Sequence, residues 1–321
     1  MKAIVFKDFG AVDNLELKEV SIPNPTENQV QIRVQYAGVN PVDWKIGSGM
    51  LKEMLKKMGI QWEFPLIPGW DASGVIEKVG RNVKNFKEGD EVYTYCRKPK
   101  VQWGTYAEYV NADSNDVALK PRDLSFAEAA AIPLVGLTAW QALYDVGHIQ
   151  KDQTVCIHAG AGGVGSLAIS LAKNAGAKIF TTASTPHHEY VKDLGADYAI
   201  DYSHCSFAQQ IKTHCPEGVD LCLDAVGGET LEKSFEIVKP GGRLISIVQP
   251  VSATKAKEYG IVPGFVFVRP NGEQLTQITD LFNQGKIRSP HIEEMPLSQA
   301  KEAIEKSQTG HTCGKIVLKV R

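Results

Sequence analysis

The stretch Val155-Cys156-Ile157-His158-Ala159-Gly160-Ala161-Gly162-Gly163-Val164-Gly165 decides the fold. An apolar run leads into the pattern G-x-G-x-x-G, and a small-residue helix is expected to follow over 166–176. This order of strand, glycine turn and helix is typical of a dinucleotide-binding βαβ unit. Gly160 permits the tight turn, Gly162 lets the backbone approach a pyrophosphate, and Gly165 allows close helix–strand packing. We therefore expect Gly162, Gly163 and Val164 to bind a dinucleotide through a helix amino terminus.

The segment that follows alternates between strand and helix patterns. The predicted strands are 154–159, 178–183, 198–200, 221–224 and 243–248. The predicted helices between them are 166–175, 189–194, 207–213 and 231–238. Such alternation predicts a parallel, doubly wound sheet with crossover helices on its faces.

The first third of the chain is β-rich instead. Short apolar or alternating runs separated by Gly and Pro predict strands at 2–6, 30–36, 74–79, 91–95 and 107–110. Ser125 with Glu128 forms a capping-box pattern that starts a helix over 127–132. After about residue 263 the pattern is mixed, with helices expected at 275–284 and 299–307 and a strand at 315–320.

The succession of β-rich, alternating and mixed segments along the chain predicts two domains. The dinucleotide-binding domain is predicted at 124–266, inserted into a β-rich domain of residues 1–123 that residues 267–321 complete. A length of 321 residues agrees with two domains.

Composition excludes several classes of function. A net charge of -2, without a basic stripe, argues against nucleic-acid binding. No apolar run reaches the roughly 18 residues of a membrane span. The six cysteines form no C-x-x-C pair, and the amino terminus has no apolar signal region, which predicts a cytoplasmic protein with reduced thiols.

The end of the second predicted strand indicates which dinucleotide binds. An NAD site usually has a carboxylate there for the ribose 2′-hydroxyl, but no carboxylate occurs before Glu189. Ser184, Thr185 and His187 offer donors to a 2′-phosphate, and Tyr202 adds another contact, so we expect NADP(H). The two histidines, His187 and His188, can equally belong to a solvated turn.

Eight segments spread along the whole chain, one of them the phosphate loop, carry a resemblance to a known group. They are 37–45, 67–74, 89–93, 104–109, 136–139, 160–165, 194–197 and 314–317. In these the chain resembles the medium-chain dehydrogenase/reductase superfamily, in its zinc-free quinone oxidoreductase and enone reductase branch. The resemblance implies a Rossmann doubly wound sheet inserted into a GroES-like β-rich catalytic domain, and a homodimer.

Departures from the zinc-dependent members decide the branch. Those members carry a cysteine ligand where this chain has Asn40, a Gly-His-Glu motif where it has 69–71, and a further cysteine near Leu134. Indole has no lone pair to give and an amide is a poor zinc ligand. We therefore expect a metal-free enzyme.

The resemblance also implies roles for residues near the reaction. Asn40 and Lys45 would be catalytic, facing the nicotinamide ribose, with Lys45 stabilising developing negative charge. Asp43 would orient the local backbone. The alternatives are a capped turn for Asn40 and a snorkelling surface side chain for Lys45.

The remaining cofactor contacts are implied by the same resemblance. They are Thr138, at the phosphate or carboxamide, the strand-end residues Ala225, Val226, Ile247 and Val248, and the closing residues Phe267, Val268 and Lys315. Their positions agree with the rule that ligands bind at the carboxyl ends of parallel strands.

Methionines at 50, 54 and 58 recur at helical spacing. This predicts an amphipathic helix that either packs on the β-rich domain or forms an adaptable lid over substrate. Aromatic residues that would line the same pocket are Trp62, Tyr95 and Trp103.

The leading hypothesis for function is a reductase that passes hydride from NADPH to quinones or α,β-unsaturated carbonyls without zinc. No nucleophile–base arrangement is present in the pattern, so catalysis would depend on orientation and electrostatics. The alternative is a non-catalytic NADPH-binding sensor or structural protein of the same fold.

Overall fold

The computed structural model describes residues 1–10, 12–98 and 100–321. The chain divides into two compact units. Unit 1 comprises Met1–Leu134, Arg269–Asn283 and Pro290–Arg321, and unit 2 comprises Val135–Val268 and Gln284–Ser289. The domain bounds proposed from the sequence, 124 and 266, remain predictions.

Unit 1 is built mainly from short strands. They are β1 (Lys2–Phe6), β2 (Leu15–Glu19), β3 (Gln29–Gly38), β4 (Gln61–Ile67), β5 (Asp71–Val79), β6 (Glu91–Tyr95), β7 (Lys100–Trp103), β8 (Tyr109–Asp113) and β9 (Val117–Leu119), with β16 (Ile292–Pro296) and β17 (Lys315–Lys319) from the end of the chain. Four form a sheet in the order β2-β1-β4-β7, and seven form a second sheet, β16-β17-β3-β5-β6-β9 with β8 also paired to β3.

The register of the larger sheet determines which side chains meet. Gly38, the last residue of β3, pairs with Asp71 on β5 and with Val317 on β17. The end of β3 therefore lies between the first residue of β5 and the third residue of β17. Asn40, Asp71 and Lys315 consequently come together at one end of this sheet.

Helices in unit 1 are short, apart from one. They are α1 (Pro41–Gly47), α2 (Lys52–Lys57), α3 (Phe126–Ala130), α10 (Gly272–Asn283) and α11 (Ala300–Gln308), while α4 (Pro133–Trp140) begins in unit 1 and ends in unit 2. The predicted capping box is confirmed: Ser125 Oγ accepts from the Glu128 N–H at 3.2 Å, and Glu128 Oε2 accepts from the Ser125 N–H at 2.9 Å.

Unit 2 contains a six-stranded sheet in which all neighbours are parallel. Its strands are β10 (Thr154–Ile157), β11 (Lys178–Thr182), β12 (Tyr198–Ile200), β13 (Val219–Asp224), β14 (Val238–Ser246) and β15 (Val262–Phe265). Its helices are α5 (Gly163–Asn174), α6 (His188–Asp193), α7 (Phe207–His214), α8 (Gly228–Ser234) and α9 (Ala253–Tyr259), besides a π-helix at Gln141–Val146.

The strand order β12-β11-β10-β13-β14-β15 reverses between β10 and β13. Counted within the sheet this is 3-2-1-4-5-6, the order of a Rossmann fold, whose ligands bind where the order reverses. The predicted fold class is confirmed. The phosphate loop that follows β10 lies at this switch point.

Two predicted elements are wrong in part. The helix predicted at 231–238 ends at Ser234, and β14 begins at Val238, which pairs with Val219. Its apolar residues at 235, 237 and 238 are buried beside the sheet, and a short apolar run does not distinguish helix from strand. The strand predicted at 107–110 lies instead at Tyr109–Asp113.

The methionine pattern does not mark a core face. Helix α2 spans only six residues, and its buried residue is Leu55, which is 1% exposed. Met50 and Met58 lie outside the helix and are 65% and 44% exposed. The helix therefore buries Leu55 rather than Met50 and Met58, and Met54 is half-buried, so packing on the β-rich domain and a role as a lid both remain predictions.

Within the described residues, the structure contains no helix with the length and apolarity that a bilayer crossing requires.

Candidate functional site

A buried polar network occupies the end of the seven-stranded sheet in unit 1. Lys315, 4% exposed, directs its Nζ to the Val39 carbonyl at 2.5 Å and to Asn40 Oδ1 at 2.6 Å. Asp71 Oδ2 lies 3.9 Å from the same nitrogen. The ammonium is thus surrounded by oxygen atoms from β5 and from the turn after β3.

Asn40 is fully buried and is bonded at both ends of its amide. Its Oδ1 accepts from Lys315, and its Nδ2 donates to Asp71 Oδ2 at 2.8 Å. The other oxygen of Asp71 accepts from the backbone N–H of Leu134 at 2.8 Å, beside the first turn of α4. Side-chain contacts therefore link three distant segments of unit 1, and these contacts fix the orientation of the Asn40 amide.

Asp43 extends this network on the other side of Asn40. Its Oδ2 accepts from the Asn40 N–H at 2.8 Å and from the Tyr106 hydroxyl at 2.9 Å. The first bond closes the first turn of α1, whose first residue is Pro41. The prediction that Asp43 orients the local backbone is confirmed.

Burial dominates the acid–base properties of the network. It raises the pKa of Asp43 to about 7 and that of Asp71 to about 6, although hydrogen bonds and the charge of Lys315 oppose the shift. Burial lowers the pKa of Lys315, and the two carboxylates oppose that change. The cluster holds two carboxyl groups for one ammonium, so it favours retaining a proton near neutral pH.

Lys45 lies on α1 and is half-buried. Its Nζ is 5.4 Å from the centroid of the Trp44 ring, a cation–π distance. Across residues 1–10, 12–98 and 100–321, no carboxylate pairs with this ammonium. The alternative of a snorkelling side chain stays open, and so does the predicted contact with a cofactor.

In unit 2, the phosphate loop presents backbone N–H groups without side-chain caps. Gly162 is the extended N-cap residue of α5, and no side chain accepts from the first turn of that helix. Gly162, Gly163 and Val164 are all partly exposed. A helix amino terminus of this kind fits a pyrophosphate, because its unpaired N–H groups and its dipole favour an anion.

Packing requires two of the loop glycines. A Cβ on Gly165 would lie 2.2 Å from the Ala159 carbonyl oxygen, and one on Gly160 would lie 2.0 Å from Thr181 Oγ1. A Cβ on Gly162 would approach only the Ala159 oxygen, at 3.3 Å. Gly162 thus leaves the space in which a bound phosphate would approach the backbone.

One predicted 2′-phosphate residue, Thr185, is bonded to a carboxylate, Asp201, that the sequence analysis missed. Asp201 accepts from the N–H groups of Thr185 at 3.0 Å and Ser203 at 2.9 Å, and from both of their hydroxyls. These bonds, first those from Ser203, hold the pKa of Asp201 well below its usual range. The signal was available, because Asp201 directly follows the third strand of the sheet. Of the predicted donors, Ser184 and His187 are partly exposed and Tyr202 is 54% exposed.

The ends of β13 and β14 are held by Asp224. Its Oδ1 accepts from the N–H groups of Val226 at 3.1 Å and Gly227 at 2.9 Å, and its Oδ2 accepts from Ser246 Oγ at 2.7 Å. Val226 and Val248 are left 49% and 44% exposed at the carboxyl edge of the sheet. Such apolar surface at the switch-point edge suits a flat heterocycle.

The other predicted cofactor residues differ in exposure. Half-buried side chains are Ala225, Ile247, Phe267 and Val268, whereas Thr138 on α4 is only 4% exposed. Lys315, also predicted to contact the cofactor, directs its ammonium into the network of unit 1. Contacts of these residues with a cofactor remain predictions.

Comparison with known proteins identifies the family. Residues 26–122 match the family described as alcohol dehydrogenase GroES-like domain, and residues 194–318 match the family described as zinc-binding dehydrogenase. A 2-methylene-furan-3-one reductase of Solanum lycopersicum is 38% identical over 99% of this chain and 79% of its own length. The chain belongs to the medium-chain dehydrogenase/reductase superfamily. The predicted membership in its quinone oxidoreductase and enone reductase branch is confirmed.

Two further members of this superfamily support the same branch. The chloroplastic NADPH-dependent alkenal/one oxidoreductase of Arabidopsis thaliana is 36% identical over 99% of this chain and 79% of its own length. The solved structure of the quinone oxidoreductase from Coxiella burnetii superposes with a TM-score of 0.89 at 36% identity, covering 100% of this chain and 99% of that one.

The zinc positions of the superfamily do not fit a metal in this chain. Asn40 supplies an amide that is already bonded at both ends, and Trp70 supplies an indole packed edge-on against Tyr95 with ring centroids 5.9 Å apart. The Lys315 ammonium is a cation already bonded to oxygens at this point, and it would repel a metal ion. The donor set contains neither thiolate nor imidazole, the ligands that zinc prefers.

Proposed function

We propose that this chain is an NADPH-dependent reductase of quinones or α,β-unsaturated carbonyl compounds that works without zinc. One observation supports the proposal: Asn40, at a position where the resemblance puts a zinc ligand, is bonded at both ends of its amide, to Asp71 and to Lys315. Without zinc, an alcohol is not readily activated as an alkoxide. Reduction of an electron-poor C=C bond or a quinone requires only donors that stabilise charge on a carbonyl oxygen.

Binding of the dinucleotide is assigned to unit 2. The N–H groups that begin α5 would hold the pyrophosphate, and Val226 and Val248 would offer apolar surface. NADP(H) is proposed over NAD(H) because β11 ends without a carboxylate, and because His187 and Tyr202 are exposed enough to contact a 2′-phosphate. Asp201 opposes this choice through its charge, but it also orders the turn at Thr185.

When bound, the reduced nicotinamide supplies a hydride to the β-carbon of the enone or to the quinone ring. The substrate oxygen then gains negative charge, and a proton from solvent completes the reduction. We assign charge stabilisation or ribose binding to Lys45, whose ammonium has no ion-pair partner among the described residues. Because the Asn40 amide is wholly buried, we assign it a positioning role at the turn that leads into α1.

The cytoplasmic location and the homodimer remain part of the proposal. Support for the location comes from the six cysteines, all of which are free. Reduced thiols are typical of cytosolic proteins.

A substrate panel tests the proposal. Purified protein is assayed with several quinones and enones, with NADPH and NADH in parallel, before and after treatment with a chelator. We expect NADPH oxidation with at least one substrate class, a higher kcat/KM with NADPH than with NADH, and no loss after chelation. Activity that the chelator abolishes while the Tm of the protein stays unchanged would overturn the zinc-free assignment. NADPH binding without turnover of any substrate would favour the non-catalytic alternative.

A further inference from the structure

Three metal-ligating side chains meet in the core of unit 2, beneath the phosphate loop. Cys156 lies on β10, and His158 follows two residues later, so their side chains leave the sheet on the same face. Cys222 on β13 pairs directly with Cys156 in the parallel register. All three are 0% exposed, and their ligand atoms lie within 4.8 Å of one another.

We propose that Cys156, His158 and Cys222 form a buried binding site for a thiophilic divalent cation, with Zn²⁺ as the ion that fits best. The site is separate from the zinc positions of the superfamily, all of which lie in unit 1. It is also independent of the reductase activity proposed above.

The spacing of the ligands agrees with zinc coordination. Cys156 Sγ and His158 Nε2 are 3.8 Å apart. With a Zn–S bond of about 2.3 Å and a Zn–N bond of about 2.0–2.1 Å, an ion between them would subtend an angle of about 120°, close to tetrahedral or trigonal geometry. Cys222 Sγ is near enough to both atoms to act as the third ligand.

Charge favours a divalent ion at this depth. Two thiolates and a neutral imidazole balance a double positive charge, so the occupied site is neutral. A monovalent or trivalent ion would leave a net charge in a fully buried position, which is costly. Soft sulfur ligands also select zinc over magnesium or calcium, which prefer oxygen.

The surroundings already orient the imidazole. His158 Nδ1 lies 3.2 Å from Thr182 Oγ1, and Nε2 lies 3.0 Å from Ser234 Oγ. Ser234 donates its own hydrogen to the Thr230 carbonyl at 2.6 Å, so it accepts from Nε2 in the metal-free state. On metal binding, the two thiol protons leave to solvent, and the imidazole proton moves from Nε2 to Nδ1, where Thr182 can accept it. Ser234 Oγ, which lies 3.0 Å from Nε2, is then a candidate for a fourth position.

Two half-exposed cysteines elsewhere in unit 2 serve as matched controls. Cys205 Sγ donates to the Asp201 carbonyl at 3.1 Å, and Cys215 Sγ donates to the Gly218 carbonyl at 3.0 Å. Within the described parts of the chain, no other group of three ligating side chains meets the same spacing. If zinc bound to thiols non-specifically, the half-exposed Cys205 and Cys215 would therefore bind it at least as strongly.

Metal counting tests the site. Reduced full-length protein is produced with zinc supplementation, desalted and measured by plasma mass spectrometry. A site that survives desalting should retain about one equivalent of zinc in the wild type and in the Cys205→Ser/Cys215→Ser variant. We expect almost no zinc in the Cys156→Ala/Cys222→Ala variant. Zinc well below stoichiometry in the wild type, or zinc retained by the Cys156→Ala/Cys222→Ala variant, would overturn the proposal.

A second measurement does not depend on whether that variant folds. Metal-free wild-type protein is refolded with Cd²⁺, and the ultraviolet thiolate-to-cadmium charge-transfer absorbance is recorded. We expect a saturating band at about one equivalent and a higher Tm, because an ion that binds only the folded chain stabilises it. Absence of the band would reject thiolate coordination at this site. The proposal would also be rejected if the band disappeared in the Cys205→Ser/Cys215→Ser variant but remained in Cys222→Ala.

Discussion

The buried network of unit 1 and the phosphate loop of unit 2 differ in where their polar groups come from and in what those groups bond. The loop offers the backbone N–H groups of one contiguous segment, 163–165, at the start of α5, and it needs small residues to expose them. The network uses side chains from segments as far apart as Asn40 and Lys315, and it closes on itself. An open set of donors suits a ligand, whereas a closed set of partners fixes the position of its own members. Energetic coupling between side chains should therefore be large in the network and small in the loop.

The largest effect is expected where the network loses its only cation. Lys315→Met leaves Asp71 and Asn40 buried without the ammonium, and removing one partner of a buried ion pair costs about 3–5 kcal/mol. Urea unfolding would measure this loss, with Lys306→Met as the control. That lysine pairs with Glu293 at the surface at 2.7 Å, so its loss should cost less than about 1 kcal/mol.

Coupling within the network can be measured separately. In the double variant Lys315→Met/Asp71→Asn, the buried carboxylate is neutralised, so the loss should be smaller than the sum of the two single losses. Strict additivity would contradict a closed network.

The effect of an added methyl group on stability and on NADPH binding should depend on which glycine of the loop carries it. Gly165→Ala places a Cβ 2.2 Å from a backbone oxygen, and we expect a loss of about 1–3 kcal/mol in unfolding free energy, as for overpacking. Gly162→Ala, where the nearest atom is 3.3 Å away, should lose less than about 1 kcal/mol but should bind NADPH more weakly. Calorimetric titration together with urea unfolding separates the two effects. Equal losses of stability would show that packing does not distinguish these glycines.

Protonation of Asp43 should make the network sensitive to pH. Its pKa is raised from 3.8 to about 7 on folding, so the protonated form favours the folded chain. This contribution is complete below pH 3.8 and is lost as the pH rises through about 7. Between those values, the unfolding free energy should fall with pH by up to about 1.4 kcal/mol per unit.

Asp43→Asn should remove that part of the pH dependence, while the exposed Asp13→Asn should keep it. Urea unfolding at several pH values from 5 to 7.5 would measure the slopes. Parallel profiles for wild type and Asp43→Asn would mean that Asp43 takes up no proton on folding.

The smallest effect concerns the choice of cofactor at the surface of unit 2. Asp201→Asn removes a negative charge beside the predicted 2′-phosphate residues. Removing this like charge weakens its repulsion of a 2′-phosphate, so the preference for NADPH over NADH should rise by roughly a few-fold. The ratio of kcat/KM values measures it, and Asp193→Asn, an exposed change of equal charge on α6, should leave the ratio unchanged. An unchanged ratio would place Asp201 away from the phosphate, and a shift toward NADH would mean that its ordering of the turn at Thr185 outweighs its charge.

The same contrast explains what the sequence could predict. The loop, its helix and the parallel sheet follow from contiguous signals, since glycine spacing and local periodicity are enough to place 154–175. The strands β2, β4, β7, β9, β15 and β16 were missed because they are short, or because residues such as Pro65 in β4 break the usual pattern.

Long-range partners explain the remaining differences. Asn40 and Lys315 were singled out separately by resemblance, but nothing in either local sequence indicates that their side chains are bonded to each other. That contact depends on the pairing of β17 with β3, which places residue 315 beside residue 40. Asp71 and Tyr106 also join the network through contacts between distant segments, which no local sequence pattern indicates. Asp201 is different. The local sequence shows a carboxylate directly after a predicted parallel strand, and this is enough to predict a role for it.

The sequence separation within the network also has a consequence for the order of folding during synthesis. Lys315 follows Asn40 by 275 residues, and all of 135–268 in unit 2 leaves the ribosome between them. Domains generally fold as units while the chain emerges. We therefore expect unit 2 to be folded while Asp43 and Asp71 still lack their cation, so the nascent chain would carry one finished unit and one unit held open until its last strand arrives.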